Sequence, residues 1–362
     1  MLYSSFTSNP RFTKYLVEKG VLKNNPLVIV DVGARGGLEY HWANYGDMIQ
    51  FIGFESEAEE CNKLNDSISF ESKSKFYPVA LFKDKGTYLF NQAVSPAASG
   101  LYSRDEKLVN RFPVGELVKI LKTTYINTTD FDSFATEYNI PAVDFLKTDA
   151  EGADYDIVKG AVNQLKSVIG LSCEIHFAPW CGKGFFSELE QLLRPLGFRL
   201  YDINLFRFAN KAFLSVDSVL PGGCGAADYG QIIFGQAIFF RDAVAEIEDK
   251  KLISKWDEIR ILKAVSLFEV FQLPDCAIEL LNTAFKHKIL SDIDKYRDLI
   301  TSGFLGKTTT YEKHLQRLAR IKKRGYLNCY EFLKPYFKKI PYLADIRRFI
   351  KKQIAYRQNN YG

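Results

Sequence analysis

A chain of 362 residues is long enough to bury a full α/β core and still carry a smaller second unit. Its 47% hydrophobic and 25% charged content argue against disorder, its net charge of +5 is modest, and no apolar run is long enough to span a bilayer. Six cysteines (Cys61, Cys173, Cys181, Cys224, Cys276, Cys329) are scattered without a C-x-x-C pair, which argues for free thiols rather than a disulfide frame or structural zinc site. With no signal-peptide core in MLYSSFTSNPRF, a cytoplasmic protein is expected.

Residues 10–23 predict a lead-in helix with Phe12, Tyr15, Leu16 and Val17 on one side, closed by Asn24-Asn25-Pro26 and placed to cover a sheet. The stretch 27–37, LVIVDVGARGG, follows. Its apolar run lacks polar alternation and so predicts a strand buried on both faces of a parallel sheet. Gly33, Gly36 and Gly37 allow a sharp turn and the approach of a ligand to bare backbone, and amides at the start of the next helix would face a carboxylate or phosphate. A dinucleotide fingerprint needs glycine where Arg35 stands, and no Lys-Ser/Thr pair follows to make a phosphate loop. The D-x-G-x-x-G loop of S-adenosylmethionine-dependent methyltransferases remains, as does a tight turn with no ligand.

After a polar helix or loop at 41–47, QFIGFE (50–55) predicts a second strand whose terminal Glu55 stands where a ribose ligand is expected. A helix at 57–65, a strand at 76–81, and an edge hairpin strand at 86–94 come next. The small, polar run SPAASGLYS (95–103) predicts a loop that either forms a substrate lid or plainly connects. Thr128-Thr129-Asp130 caps another helix. VDFLKTDAEG (143–152) then places Asp149 and Glu151 at a strand end, before a helix over 153–165. The strand at 168–177 carries Glu174 and His176 on one face; a core or rim histidine is the plainer alternative for the latter. A loop at 179–184, a helix at 185–194, a strand at 198–203, a Gly-rich loop at 221–225 and a last strand at 231–241, with Gly235 as a bulge, complete an α/β unit ending near 242.

Together VDVGARGG, IGFE with ECNKLN, TTDFDSF, DFLKTDAEGADYDIVKGA, CEIHF, LRPLGFRLYDI and GQAIFFRD resemble, in order and over residues 10–242, the FkbM-type branch of S-adenosylmethionine-dependent methyltransferases. The resemblance implies a Rossmann-like class I methyltransferase sheet, mostly parallel with an antiparallel last strand. It also implies methyl transfer to an oxygen, commonly a sugar hydroxyl of a surface glycan or natural product. Carried over by motif, Asp31, Gly33, Ala34, Arg35 and Gly37 look like the loop around the cofactor's amino acid part, Glu55 like the ribose ligand, and Asp149 like the carboxylate between cofactor amine and acceptor. His176 departs from related sequences, which often carry an acid there. Asp149 and His176 are the candidate bases, with Glu151 and Glu174 as orienting groups and no metal expected.

From residue 243 onward, amphipathic helices broken at Pro274 predict an all-helical C-terminal domain over 243–362. Residues 321–362 carry eleven Lys or Arg against Glu331 and Asp345, so positive charge collects at this end. A basic amphipathic helix at 344–357 suits an anionic bilayer at the inner membrane face, a partner enzyme or an acidic glycan; a core-packed helix with a solvated basic face is the plainer alternative. No nucleic-acid motif accompanies the charge. Two functions stand: an O-methyltransferase acting on a saccharide or glycolipid, and a non-catalytic scaffold of a glycan-assembly complex. An NAD-dependent oxidoreductase is disfavoured by Arg35.

Overall fold

The computed structural model describes residues 6–68, 73–181, 184–213, 227, 229–302, 309 and 311–324. It divides into two units, Met1–Gly303 and Phe304–Gly362. The first runs α1 (Arg11–Glu18), β1 (Leu27–Val32), β2 (Ile49–Phe54), α2 (Ala58–Ser67), β3 (Lys75–Tyr77), β4 (Ala80–Leu81), β5 (Gly86–Ala93), α3 (Glu106–Val109) and β6 (Ile120–Thr129). It continues with α4 (Phe131–Glu137), β7 (Phe145–Thr148), α5 (Asp154–Lys159), β8 (Gly170–His176), α6 (Phe186–Leu193), β9 (Phe198–Phe208) and β10 (Gln231–Arg241). The helices α7 (Ala243–Glu248), α8 (Glu258–Val270), α9 (Pro274–Lys286) and α10 (Asp294–Ser302) close it. In the second unit α11 (Tyr311–Arg324) is described. The expected Gly-rich loop at 221–225 and basic helix at 344–357 lie outside the described residues, as do Cys224 and Cys329. None of the described helices is long and apolar enough to cross a membrane.

The main sheet has the order β3-β2-β1-β7-β8-β10-β9. Strands β3, β2, β1, β7 and β8 are parallel, whereas β10 is antiparallel to both β8 and β9. The expected mostly parallel sheet with an antiparallel last strand is therefore present. Strand order reverses between β1 and β7, which opens a crevice at their carboxyl ends.

Every residue of β1 is buried because both faces are covered. On one face Leu27 and Ile29 join Phe12 and Leu16 of α1, Trp42, and the inner residues of α8 and α9. On the other, Val28, Val30 and Val32 join Phe131, Ile157, Val158 and Leu189 from α4, α5 and α6. The lead-in helix does cover the sheet, but its first turn begins at Pro10, which offers no side-chain cap. Glu269 of α8 replaces it, accepting from Phe12 N at 2.9 Å and from Thr13 N and Oγ1 at 2.8 Å. A carboxylate there satisfies orphan amides and complements the helix dipole.

Five expectations change. The run 76–81 is not one strand: Pro78 has no amide to donate, and the chain leaves the main sheet after β3 and enters a second sheet at β4. Residues 86–93 do not extend the edge of the main sheet. They pair with β6, a strand not anticipated, in a three-stranded sheet of order β4-β6-β5. The helix expected over 153–165 stops at Lys159, because Gly160 O accepts from Asp132 N at 2.9 Å while the Asp132 carboxylate takes the amides of Asn163 and Gln164. Gly235 is regularly paired on both sides rather than bulged; a Cβ there would lie 2.6 Å from Asn204 O, so close backbone approach is what demands glycine.

The fifth change concerns the helices from 243 to 302, which were expected as a separate domain but belong to the first unit. Residues 261–270 of α8 are all buried, and Phe268 and Phe271 stack among Phe240 and Phe145 of the sheet with ring centroids 4.9–5.5 Å apart. A helix buried on every side, its polar residues included, must lie between layers.

One buried ion pair fastens α8 to the sheet. Asp144 Oδ2 accepts from Lys263 Nζ at 2.6 Å and from Val28 N at 2.9 Å. Removing one partner strands the other's charge in the interior, so Asp144→Ala is expected to lower stability by about 3–5 kcal/mol in urea denaturation. The double variant Asp144→Leu/Lys263→Met should recover most of that loss, and a single variant as stable as the parent would contradict the assignment.

Candidate active site

At the carboxyl ends of β1, β2 and β7 lies a cleft of ≈ 700 Å³, within the range of ~300–1,000 Å³ usual for ligand pockets. The loops after these strands supply Gly33, Arg35, Glu55, Glu57, Asp149 and Glu151. The opposite wall comes from the second sheet, with Phe90, Gln92, Thr124 and Ile126, and from the 94–101 segment. The run expected as a loop at 95–103 thus borders the cleft, held by a bridge between Asn91 and Gly100.

Of the residues singled out in the sequence, Gly33, Arg35, Glu55, Asp149 and Glu151 line this cleft. Asp31, Ala34, Gly37, Glu174 and His176 do not. Asp31 is buried beside its β7 neighbour Lys147, whose Nζ donates to Oδ1 at 3.0 Å; burial raises the Asp31 carboxyl despite that cation. The glycine loop also differs from expectation. Gly33 N and Ala34 N both donate to Phe54 O at 3.0 Å, so these amides are not offered to an anion. No α-helix begins at the loop either, since a 3₁₀ segment over Tyr40–Met48 follows. Gly33 itself has φ +83°, and a Cβ on it would stand 2.0 Å from Asp149 O. The glycine is required because two strand tips touch.

Glu55 accepts from Glu57 N at 2.9 Å, and its second oxygen lies 3.6 Å from Arg35 Nε. Arg35 also pairs with Glu57. Burial raises the Glu55 carboxyl, and Arg35 opposes the rise.

Behind the cleft lies a buried layer of titratable groups. Glu151, held at φ +53°, pairs with Arg104, whose other nitrogen donates to Ala98 O at 2.7 Å. Burial pushes Glu151 up to about 8, against the pull of Arg104, and Asp154 up to about 7. Glu174 is raised by burial and by the neighbouring Glu151, Asp154 and Asp149 carboxylates. His176 Nε2 lies 4.0 Å from Glu174 Oε1 and 3.9 Å from Cys181 Sγ. Its Nδ1 finds no hydrogen-bond partner among the described residues.

Sequence reasoning missed Lys147, Arg104, Asp154 and Cys181. Lys147 left only the oddity of a cation inside an apolar strand, since its partner Asp31 is set by strand pairing, and Arg104, in the polar run SRDEK, left none.

The strand order, the antiparallel β10 between β8 and β9, and a cleft at the β1/β7 reversal define a class I methyltransferase fold. Residues 31–200 match the family model described as Methyltransferase FkbM domain. Similar solved structures include an FkbM methyltransferase from Methylobacillus flagellatus, at 12% identity and a TM-score of 0.32 over 59% of this chain and 43% of that one. Another is the 1,6-didemethyltoxoflavin-N1-methyltransferase of Burkholderia thailandensis with bound S-adenosylhomocysteine, at 11% identity and a TM-score of 0.26 over 65% of this chain and 79% of that one. This chain spans less than half the length of the Methylobacillus protein. No curated protein matches the sequence.

Two tests follow from this geometry. Gly33→Ala would force a Cβ against Asp149 O in a left-handed backbone, costing about 1–3 kcal/mol for overpacking and ~1–2 kcal/mol for the conformation. A lower urea midpoint is expected, and an unchanged one would contradict the close approach. Burial, helped by Arg104, lowers His176 from 6.5 to about 4. The unfolded chain therefore takes a proton first as pH falls, and the stability held above pH 6.5 is lost as pH drops through about 4. In His176→Gln that component, on the order of 3 kcal/mol, should vanish from the pH profile of stability.

Proposed function

We propose that the chain is an S-adenosylmethionine-dependent O-methyltransferase acting on a saccharide hydroxyl. The observation that carries this reading is that Gly33, Glu55, Asp149 and Glu151 border one cleft. Its lining places the acids Glu55, Glu57 and Asp149 against a single lining cation, Arg35, itself paired to Glu55 and Glu57, while Glu151 is paired with Arg104 behind it. Such a wall suits a ligand with cationic sulfonium and ammonium centres. It disfavours a pyrophosphate, as does the commitment of the Gly33 and Ala34 amides to Phe54 O.

In this reading Glu55 accepts from the ribose hydroxyls, in place of its contact with Glu57 N. Gly33 and Arg35 border the amino acid part, with Asp31 and Lys147 bracing the loop from beneath. When bound, the sulfonium supplies an electrophilic methyl carbon. The cleft lining would hold an acceptor hydroxyl beside that carbon and exclude water. Asp149, in that lining, would take the hydroxyl proton, a contribution of roughly 10²–10⁴ in rate. Arg104 holds Glu151 beside it, and Glu174 and His176 back this wall as positioning residues.

Calorimetric titration with S-adenosylmethionine tests the first half of the proposal, and release of S-adenosylhomocysteine with a panel of saccharide acceptors tests the second. Glu55→Gln is expected to weaken cofactor binding by about 1.5–3 kcal/mol, roughly 10- to 100-fold. Asp149→Asn should lower turnover by ~10²-fold or more with a smaller effect on cofactor affinity. Binding of NAD in place of S-adenosylmethionine would refute the assignment, and binding without turnover on any acceptor would favour the scaffold.

A further inference from the structure

We propose, resting on the reading that the cleft receives an acceptor alcohol, that this acceptor is an amphiphile. Its saccharide enters the cleft while a lipid tail lies over the outer face of the β5–β6 sheet. Along that face Leu121 is 69% and Tyr125 76% exposed, and Leu89, directly across the ladder from Tyr125, is 50% exposed. Val94 continues the strip and is 43% exposed. The strip does not stand apart from the site, because Val94, Leu121 and Tyr125 also line the cleft. A tail on this face would therefore be continuous with a head group bound inside.

Composition sets this face apart from an ordinary solvated sheet. Residues 86–94 contain no charged residue, and residues 117–129 contain Lys119 and Lys122 but no acid, in a chain that is 25% charged overall. An edge strand such as β5 is normally protected by charge, proline or a cover; the Gly100 bridge covers it at buried Asn91, whereas Thr87 and Leu89 on the same face are exposed. Tyr125 presents an apolar ring with a polar tip, suited to the boundary between a sugar and a hydrocarbon. Leu89 with Tyr125, and Leu121 with Val94, form two apolar pairs on this face, separated by Thr123 and Asn91, and the second pair stands at the mouth of the cleft. The polar partners on the same face, Thr87 with Asn127 at 2.9 Å and Thr123 with Asn91 at 3.3 Å, satisfy one another and leave the apolar side chains as the accessible feature.

The test compares n-dodecyl β-D-maltoside, kept below its micellar concentration, with maltose, by calorimetry on the full chain. The alkyl maltoside is expected to bind at least tenfold more tightly than maltose. Leu89→Ser/Tyr125→Ser should abolish that advantage, and Leu89→Ser alone, which lies outside the cleft lining, should leave S-adenosylmethionine affinity unchanged. Equal binding of the two sugars to the parent, or an advantage that survives in the double variant, would overturn the proposal. So would a parent dimer in sedimentation velocity that the double variant dissolves, since the strip would then be covered by a second copy. Failure to bind S-adenosylmethionine would instead refute the methyltransferase reading, and is read in a separate titration.

Discussion

The approach of two strand tips is the constraint on which the cleft depends. Parallel β1 and β7 are adjacent, and beyond their last paired residues, Val32 and Thr148, Gly33 passes so close to the Asp149 carbonyl that no Cβ fits between. Asp149 N donates to Val32 O at 2.9 Å, so the ladder continues one step past the strand and fixes where the Asp149 side chain emerges. On the other side of β1, the Gly33 and Ala34 amides both converge on Phe54 O, which ties the tip of β2 and hence Glu55 to the same loop. Three carboxyl ends are thereby locked by backbone contacts alone. Glu55 and Asp149 therefore sit one residue beyond paired strand ends, where the sheet itself positions them.

That rigidity is supplied from the far face. Helix α8 lies buried between the sheet and α9, tied to the sheet through Lys263 and Asp144 and to α1 through Glu269. Arg241, at the end of β10, bonds Val168 O, Leu196 O and Leu165 O and pairs with Glu246 of α7, which also accepts from Trp256 Nε1 at 2.9 Å. The Lys263–Asp144 and Glu246–Arg241 links join the C-terminal helices to the amino-terminal edge of the parallel strands, opposite the cleft. The helices therefore complete the α/β layer structure and leave the carboxyl edge free for a ligand.

The central strands were legible because their apolar runs are unbroken, and a strand buried on both faces needs nothing else to declare itself. LVIVDV and the strand ending in CEIH were placed within one or two residues of their ends. Strand β6 was not legible: in ILKTTYINTT much of one face is exposed, and its partner β5 ends at Ala93, well before β6 begins at Ile120, so neither burial nor a short hairpin turn marks it. The destination of the C-terminal helices was hidden for a related reason. Their existence follows from local periodicity, but the layer they cover depends on which sheet face lacks helices of its own. In the site, acids at strand tips were legible from position alone. Their cations were not, since Lys147 and Arg104 meet Asp31 and Glu151 only through tertiary packing.

Asp149 stands between two groups of acids. Burial is the main cause of the rise at Asp31 and Glu39 on one side and at Glu151, Asp154 and Glu174 on the other, and the Asp149 charge adds to it; with Asp31 it also helps hold the Lys147 proton. One buried cation compensates each flank: Lys147 beneath the glycine loop, Arg104 beneath the segment that carries Ala98. Acids pressed together in a low-dielectric interior hold on to their protons. Burial is the larger cause of the rise at Glu151, Asp154 and Glu174, so the layer behind the cleft accommodates its crowding by protonation and by its two cations rather than by storing charge.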